Sequence, residues 1–250
     1  MSVGITQNIK PFVTIDYSEP RVDSMFYVRN QEYKISSYIS TNYSNPIAID
    51  LNASFKTVKR RLTKPWQYSF SYAPRIRFSN KFLFTLSNSY TKVFQDAGYV
   101  SKSNDSIFFG VRNISNQILT MEFDYNIRRN VSFNLRLRHN WTLVNYLDYY
   151  LLSPKGFLYP LSLPYHYFSN RDVNSNFFNI DFIFKWIIVP GSEITVSYKL
   201  NVSSSSDILI YNYYGNFENM YLENPNIQSL SVKLILYLNT QTVRKIKRSR

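Results

Sequence analysis

The sequence contains no cysteine, which excludes disulfides, thiolate metal sites and cysteine nucleophiles. Glycine is scarce, at 6 of 250 residues, so glycine-rich phosphate loops cannot dominate the chain. Acidic residues are also few: 16 Asp and Glu oppose 29 Lys and Arg, which leaves a net charge of +13. This excess favours an anionic partner, such as nucleic acid, lipid A phosphates or anionic lipid headgroups.

Long hydrophobic runs are absent as well. The stretch "FIFKWIIV" is far shorter than the roughly 20 apolar residues of a membrane-spanning helix. The opening "MSVGITQNIKPF" has no basic segment followed by an apolar one, so no signal peptide is visible. The lack of a long apolar run does not exclude a transmembrane β-barrel, because the strands of such barrels are short and alternate between apolar and polar residues.

Alternation of apolar and polar residues is the dominant pattern. In "FFNIDFIFKWIIVPGSEITVSYKLNV" at 177–202, one parity carries nearly all the large apolar side chains on both sides of a tight turn. Hydrophobic residues make up 44% of the chain and aromatic residues 18%, so the chain folds. The same period of two recurs from end to end and predicts ten strands.

The connections between these strands alternate in length. Short connections fall near 44–46, 79–81, 128–130 and 189–193, and long ones near 18–24, 57–65, 94–106, 152–172 and 203–226. Outer-membrane barrels place short turns in the periplasm and long loops outside. We therefore predict an all-β, antiparallel up-and-down transmembrane barrel over 1–239 in a bacterial outer membrane, with a basic periplasmic tail at 240–250. The alternative is a soluble two-sheet β-sandwich that buries the apolar parity and binds an acidic ligand.

Charged residues on the polar parity predict a network in the barrel interior. The turn at 128–130 makes the flanking strands antiparallel neighbours, which places Glu122 and Asp124 beside Arg136 and Arg138. Paired charge predicts a constricted barrel interior. The residual positive charge predicts that any ion flow through it weakly prefers anions. The other predicted interior charges are Arg75, Arg77, Lys185 and Lys199.

Aromatic residues concentrate at strand ends, as interfacial girdles require. The predicted lipid-facing or interfacial rings are Trp66, Tyr68, Phe78, Phe82, Trp141, Phe182 and Trp186. The basic residues Lys59, Arg60 and Arg61 lie in an outward loop that contacts lipid A or is simply solvated. Outer-membrane lipid and lipopolysaccharide are the expected partners. Nucleic acid is not, because basic residues and rings lie on opposite faces.

Catalytic and metal-binding patterns are missing. His139 and His166 have no spaced second ligand, so we expect no metal and no cofactor. An interior charge ladder explains Glu122 and Asp124 better than a glycosidase pair does. No Gly-rich phosphate loop and no G-x-S-x-G elbow is present in the sequence. We expect the protein not to be an enzyme.

Four stretches resemble one family: "DSIFFGVRN", "SFNLRLRHNWTLVNYLDYYLL", "NSNFFNIDFIFKWIIVPGSEITVSYK" and "ENPNIQSLSVKLILYLN". Together they are similar to the C-terminal barrel domain of Bacteroidota proteins, a domain of unknown function. In that family the barrel usually follows a signal peptide and a family-9-like carbohydrate-binding module, and it is considerably longer. The resemblance implies an outer-membrane anchor or narrow pore linked to carbohydrate binding or uptake, or the membrane-anchored part of a carbohydrate-active enzyme.

The same resemblance carries an expectation about completeness. Neither the signal peptide nor the carbohydrate-binding module is visible in this sequence. We therefore expect the chain to be the C-terminal part of a longer protein or a truncated reading frame, with ten strands as an incomplete barrel wall. The missing module is an expected partner. The family supplies no catalytic residues to carry over.

Overall fold

A computed structural model describes residues 1–59, 63–104, 106–161 and 171–237. In these ranges the chain is mostly antiparallel β structure with one helix, α1 (Tyr213–Glu223), between the last two strands. The strands are β1 (Ser2–Lys10), β2 (Thr14–Asp16), β3 (Tyr27–Arg29), β4 (Glu32–Ser40), β5 (Ile47–Val58), β6 (Trp66–Arg77), β7 (Phe82–Ser103), β8 (Ser106–Arg128), β9 (Val131–Leu152), β10 (Leu158–Pro160), β11 (Val173–Val189), β12 (Ser192–Ser206) and β13 (Asn226–Ile235).

One sheet dominates the structure. Its strand order is β1-β4-β5-β6-β7-β8-β9-β11-β12-β13, with β10 paired to β9, while β2 and β3 form a separate hairpin. Each long strand runs antiparallel to its neighbours. The predicted all-β antiparallel architecture is therefore confirmed. Within the described residues the sheet is not closed, with β1 and β13 at its edges, so the barrel itself stays a prediction.

The connections define two ends of the sheet. The turn end holds the short connections at 41–46, 78–81, 129–130 and 190–191, close to the predicted ones. The loop end holds the others. The long loop expected near 94–106 is wrong, because β7 continues to Ser103 and β8 begins at Ser106. Register shifts between Val93 and Asp96 and between Tyr99 and Ser101 add residues to β7, and such bulges break the period of two.

The first strand ends earlier than its alternation does. Apolar residues alternate from Val3 to Tyr17, but β1 stops at Lys10. Pro11 follows, and proline has no N–H to donate to a strand ladder. The remainder of the alternating stretch forms β2, which pairs with β3 across the loop end.

Buried side chains form two small clusters, one at the loop end and one nearer the middle of the sheet. The first lies around Phe109, which is 0% exposed and contacts Tyr27 of the β2–β3 hairpin. The second lies under α1, where Met220 packs against Leu200 and Val202. Elsewhere large apolar side chains are exposed along the sheet, including Ile5, Ile47 and Leu230. Over most of its area, no other described element covers the apolar side of the sheet.

Candidate functional site

The polar face of the sheet is the side that carries Glu122 on β8 and Arg136 on β9, which are direct cross-strand partners. The guanidinium Nη1 of Arg136 lies 3.8 Å from Oε1 of Glu122. Its Nη2 lies 3.5 Å from Oδ2 of Asp181 on β11. One arginine therefore bridges two carboxylates across three adjacent strands.

The other two members of the predicted network have different neighbours. Asp124 lies opposite Asn134, whose Nδ2 donates to Oδ1 of Asp124 over 2.6 Å. Arg138 lies opposite Thr120 and Asn179. The turn at 129–130 fixes the β8–β9 register, so the Glu122–Arg136 pair could be found from the sequence. Asp181 was missed as a partner, because the connection before β11 is too long to fix its register.

The predicted cations near the turn end are held by local contacts. The Arg75 guanidinium lies 4.8 Å from the centroid of the Tyr43 ring, which is a cation–π geometry. Arg77 donates from Nη2 to the Tyr43 carbonyl over 3.4 Å. Both arginines thus pack against the first short turn.

Two lysines occupy the β11–β12 hairpin on the same face. Nζ of Lys185 lies 2.7 Å from Oε2 of Glu193, and Lys199 lies opposite Asp181 in the register. Each positive charge on this hairpin therefore has a carboxylate on the neighbouring strand. The cross-strand ion pairs of Arg136 and Lys185 favour antiparallel pairing in this register.

A cavity of about 460 Å³ opens on the polar face at the turn end. Its wall includes Arg77 on β6, Leu83 on β7, Asp124 on β8, Asn134 on β9 and Lys185 on β11. Side chains from five neighbouring strands can line one cavity only if the sheet curves toward that side. The concave side at the turn end is therefore the polar one.

The apolar face, on the opposite side, carries a row of rings at the turn end. Phe78 stacks on Phe82 at 5.1 Å between ring centroids, and Phe82 meets Tyr125 edge-on at 5.8 Å. Tyr125 meets Phe133 at 5.3 Å, and Phe133 lies 6.1 Å from Phe182. These contacts form a continuous aromatic row from the turn between β6 and β7 to β11, which we call the turn-end belt.

A second row lies toward the loop end of the same face. Trp66 stacks on Phe94 at 4.0 Å and contacts Tyr68 at 5.9 Å and Phe55 at 6.2 Å. Tyr68 continues the row to Tyr90 at 6.1 Å. We call this row the loop-end belt. The two belts lie at different heights on one face of one sheet.

The remaining predicted rings lie on the apolar face too. Trp186 is 41% exposed beside the turn end, whereas Trp141 is 8% exposed. The Trp141 ring packs edge-on against Tyr213 of α1 at 5.8 Å, and its Nε1 donates to Oδ1 of Asn174 over 3.1 Å. Trp141 is thus covered by the helix, while the other rings are at least partly exposed.

Helix α1 is fixed to the apolar face by buried polar groups. Its N-cap is Asn212, which accepts a hydrogen bond from the Tyr214 amide. Nδ2 of Asn216 donates to Oδ1 of Asn176 on β11 over 2.6 Å. His139 on β9 lies between these elements, with Nδ1 3.0 Å from the Tyr213 hydroxyl and Nε2 3.3 Å from Oδ1 of Asn176. These hydrogen bonds satisfy polar side-chain groups whose burial without a partner would be unfavourable.

A second network holds the β2–β3 hairpin at the loop end. Nε of Arg29 donates to Oδ2 of Asp16 over 2.7 Å, and Glu19 accepts from the Tyr99 amide of β7 over 3.1 Å. Burial raises the pKa of Asp16, but hydrogen bonds from the Ser18 hydroxyl, from Arg29 and from two backbone amides outweigh it and hold that pKa well below its ordinary value. The Arg29–Asp16 pair therefore holds the hairpin together, and Glu19 attaches it to the loop-end part of β7.

Several residues predicted from the sequence to have a role take no part in the networks described above. Lys59 is exposed, and its amide donates to the Gln31 carbonyl over 2.8 Å. Arg60, Arg61 and His166 lie outside the described residues, as does the basic tail from 240 onward. Within the described ranges, no group of three or more His, Cys, Asp or Glu residues could hold a metal ion. No helix in those ranges is long and apolar enough to cross a membrane.

Helix α1 was missed by sequence reasoning, which treated 203–226 as a loop. A signal for it was present in the sequence. Tyr213, Asn216, Phe217 and Met220 follow the spacing of three and four residues that brings side chains to one face of a helix. These four residues are the ones that contact the sheet.

Comparison with known proteins gives a family and nothing finer. No curated protein matches the chain, and no solved structure does. The family described as a domain of unknown function, DUF5916, matches residues 1–247. Since that match covers nearly all of the sequence, the chain belongs to the DUF5916 family.

Proposed function

We propose that this protein is an integral outer-membrane β-barrel that acts as an anchor or a narrow pore, with the polar face inside and the apolar face against lipid. One observation carries the proposal. Cross-strand ion pairs such as Arg136–Glu122 lie on one face of the sheet, and two aromatic belts lie on the other. Transmembrane barrels have this division between a polar interior and an apolar band flanked by aromatic girdles.

The separation of the belts supports the proposal. Phe82 of the turn-end belt and Phe94 of the loop-end belt lie on the same strand, about 40 Å apart at roughly 3.3 Å per residue. A strand tilted by about 40° would cover ~30 Å along the membrane normal. The apolar band of such barrels is about 25 Å tall, so the belts are spaced as two interfaces require.

The directions of the edge strands allow the sheet to close. β1 runs from the turn end to the loop end, since Ser2 pairs with Ser40. β13 runs the opposite way, since Asn226 pairs with Val202 near the loop end. The two edges can therefore pair as antiparallel strands, directly or through further strands. In lipid, closure is required, because open sheet edges leave backbone groups unpaired.

The interior charges favour a narrow passage. Arg136 reaches two carboxylates on neighbouring strands, and the cavity at the turn end brings Arg77 and Lys185 to one concave surface. Side chains fill the interior of small barrels, and the surplus of positive charge favours anions over cations.

In this arrangement the loop end faces outward and meets lipopolysaccharide, while the turn end faces the periplasm. The link to carbohydrate binding or uptake, and to an N-terminal carbohydrate-binding module, rests on the family resemblance alone. That module and this barrel would act together as a surface anchor for glycan.

Single cysteines test the membrane topology, because the native chain has none. We expect Ser103→Cys and Lys155→Cys at the loop end to react with an impermeant maleimide on intact cells. The matched substitutions Asn80→Cys and Arg129→Cys at the turn end should react only after lysis. All four positions are exposed, so accessibility within the protein does not decide the result.

A second measurement tests the barrel itself. The protein should require detergent for extraction and should shift on gels between unboiled and boiled samples. Recovery of the protein in the soluble fraction, or equal labelling of all four cysteines on intact cells, would contradict the proposal. Recovery in the soluble fraction would favour the alternative of a soluble β-sandwich module.

A further inference from the structure

A cleft runs down the apolar face beside α1, and we call it the helix cleft. It consists of two cavities, of about 510 Å³ and 470 Å³, that share Tyr213 in their walls. The larger cavity lies nearer the loop end, since β8 lines it with Ser115 and Gln117. The smaller one follows toward the middle of the sheet, where β8 supplies Leu119 and Met121.

The upper part of the helix cleft combines polar side chains with aromatic rings and carries one cation. Asn113, Ser115 and Gln117 line it, and Lys92 projects into it from β7. Nζ of Lys92 lies 5.2 Å from the Phe94 ring centroid. Among the described residues Lys92 has no ion pair within 4.0 Å, whereas Arg136 and Lys185 on the polar face each contact a carboxylate. An unpaired cation on the apolar face attracts an anionic group.

The lower part of the helix cleft is hydrocarbon in character. Leu119, Met121 and Leu137 form its floor, and Phe178 and Phe217 form one side. Such a trough fits an acyl chain, because burying each CH₂ group contributes about 0.8 kcal/mol. The change from polar to apolar lining takes place between Gln117 and Leu119, which are successive residues on this face of β8.

The wall beside the trough is preformed. Asn216 and Met220 of α1 are 1% and 0% exposed, and the Asn216–Asn176 hydrogen bond fixes the helix to β11. A helix with its side chains is about 10 Å across, which is enough to flank a hydrocarbon chain along its length. A preformed site loses little conformational freedom when it binds.

The polar part of the cleft lies at the height of the loop-end belt. Gln117 pairs in register with Tyr90, a member of that belt, and Ser115 pairs with Lys92. In a membrane the belt marks the headgroup level. A lipid that lies in the cleft therefore presents its headgroup to Lys92 and its chain to the trough.

We propose that the helix cleft binds one molecule of lipid A, with a phosphate at Lys92 and an acyl chain along the trough. The proposal rests on the outer-membrane function above, which places the loop end in the outer leaflet. Lipid A is the phosphate-bearing lipid of that leaflet. A zwitterionic headgroup would bring a second positive charge toward Lys92 and is disfavoured.

Lipid retention by the full chain tests this inference. The purified protein is titrated in detergent with bisphosphorylated lipid A, with the same lipid lacking phosphates, and with phosphatidylglycerol, and binding is read by native mass spectrometry. We expect bisphosphorylated lipid A to bind about five- to tenfold more tightly than the lipid lacking phosphates, which is the scale of one partly exposed charge-assisted contact. Phosphatidylglycerol also offers a phosphate to Lys92, so it tests whether the cleft distinguishes lipid A from another anionic lipid.

Three variants distinguish the contribution of Lys92 from that of the trough. Lys92→Gln should remove the preference for phosphates, and Lys92→Arg should keep it. Leu119→Trp should weaken binding of all three lipids, because the indole fills the trough. The matched controls are Lys34→Gln on the polar face and Leu51→Trp on the apolar face of β5, and both should bind like the native chain.

The outcomes separate this inference from the function on which it rests. Insertion into vesicles and the gel shift are measured on the same samples. If the native chain inserts but shows no preference for bisphosphorylated lipid A, or if Lys34→Gln matches Lys92→Gln, the lipid site is overturned alone. If phosphatidylglycerol binds as tightly as lipid A, the assignment to lipid A is overturned. If the chain does not insert, the barrel fails and the site with it.

Discussion

Arginine placed at three positions of β7 would measure whether the apolar face meets lipid or a protein core. Phe82 belongs to the turn-end belt, Phe94 to the loop-end belt, and Leu86 lies between them on the same face of the same strand. At roughly 3.3 Å per residue, Leu86 is ~13 Å from Phe82 and ~26 Å from Phe94 along the strand. It therefore lies inside the apolar band, about one third of the way from the turn-end belt to the loop-end belt.

The free-energy cost of an arginine should depend on its position along this strand in one way if the face meets lipid and in another if the face is a protein core. An arginine on the lipid face of a barrel costs about 2–4 kcal/mol at the midplane and about 0–1 kcal/mol near the interfaces. We expect Leu86→Arg to lower the folding equilibrium constant by about 30- to 900-fold, and Phe82→Arg and Phe94→Arg by no more than about fivefold. In a protein core the penalty follows burial of the side chain and has no such dependence on depth.

The assay is reversible unfolding from lipid vesicles by denaturant, followed by tryptophan fluorescence and by the gel shift. Each arginine variant is compared with alanine at the same position, because Phe94 also stacks on Trp66 at 4.0 Å and loses that contact in either variant. Ser87→Arg is the control on the polar face, since Ser87 lies opposite Thr120. A profile without a maximum at Leu86, or a Ser87→Arg penalty as large, would refute the assignment of the faces.

Three further outcomes are expected. In planar bilayers the native chain should show low conductance with weak anion preference, and Glu122→Ala combined with Arg136→Ala should raise it; large cation-selective steps would contradict this. Because the pKa of Asp16 is lowered, its stabilisation of the β2–β3 hairpin is present above about pH 4 and lost as the pH falls further. Asp16→Asn should therefore permit tryptic cleavage after Arg29 at neutral pH. Unchanged protection from trypsin would count against the ion network. Gly156 has φ of +75°, and an added Cβ would lie 2.6 Å from the Phe26 ring in the loop of that hairpin. Gly156→Ala should speed amide hydrogen exchange in β3. Unaltered exchange would show that the loop adapts.

The sequence was informative where two conditions held together: a strict period of two and a short turn. The turn at 129–130 pins β8 against β9, so the Glu122–Arg136 pair followed from counting residues. A slip of one residue would exchange the faces, which is why the assignment of apolar and polar sides agrees with the structure.

Features that depend on bulges or on long connections could not be counted in this way. Gln95 has φ of +53° at the first bulge of β7, and the extra residue there hid the continuation of the strand. Asp181 meets Arg136 only because β11 returns beside β9 after a long connection. Helix α1 was missed although its spacing was visible, because its contacts include residues on β9 and β11, which are far from it in the sequence.

The opposed directions of β1 and β13 restrict what can complete the sheet. In an up-and-down meander each added strand reverses direction, so an odd number of additional strands would bring two parallel edges together. Only zero or an even number leaves every neighbour antiparallel. If the sheet closes as proposed, any longer form must therefore gain strands in pairs, and a relative that differs by a single strand could not close with the same pairing.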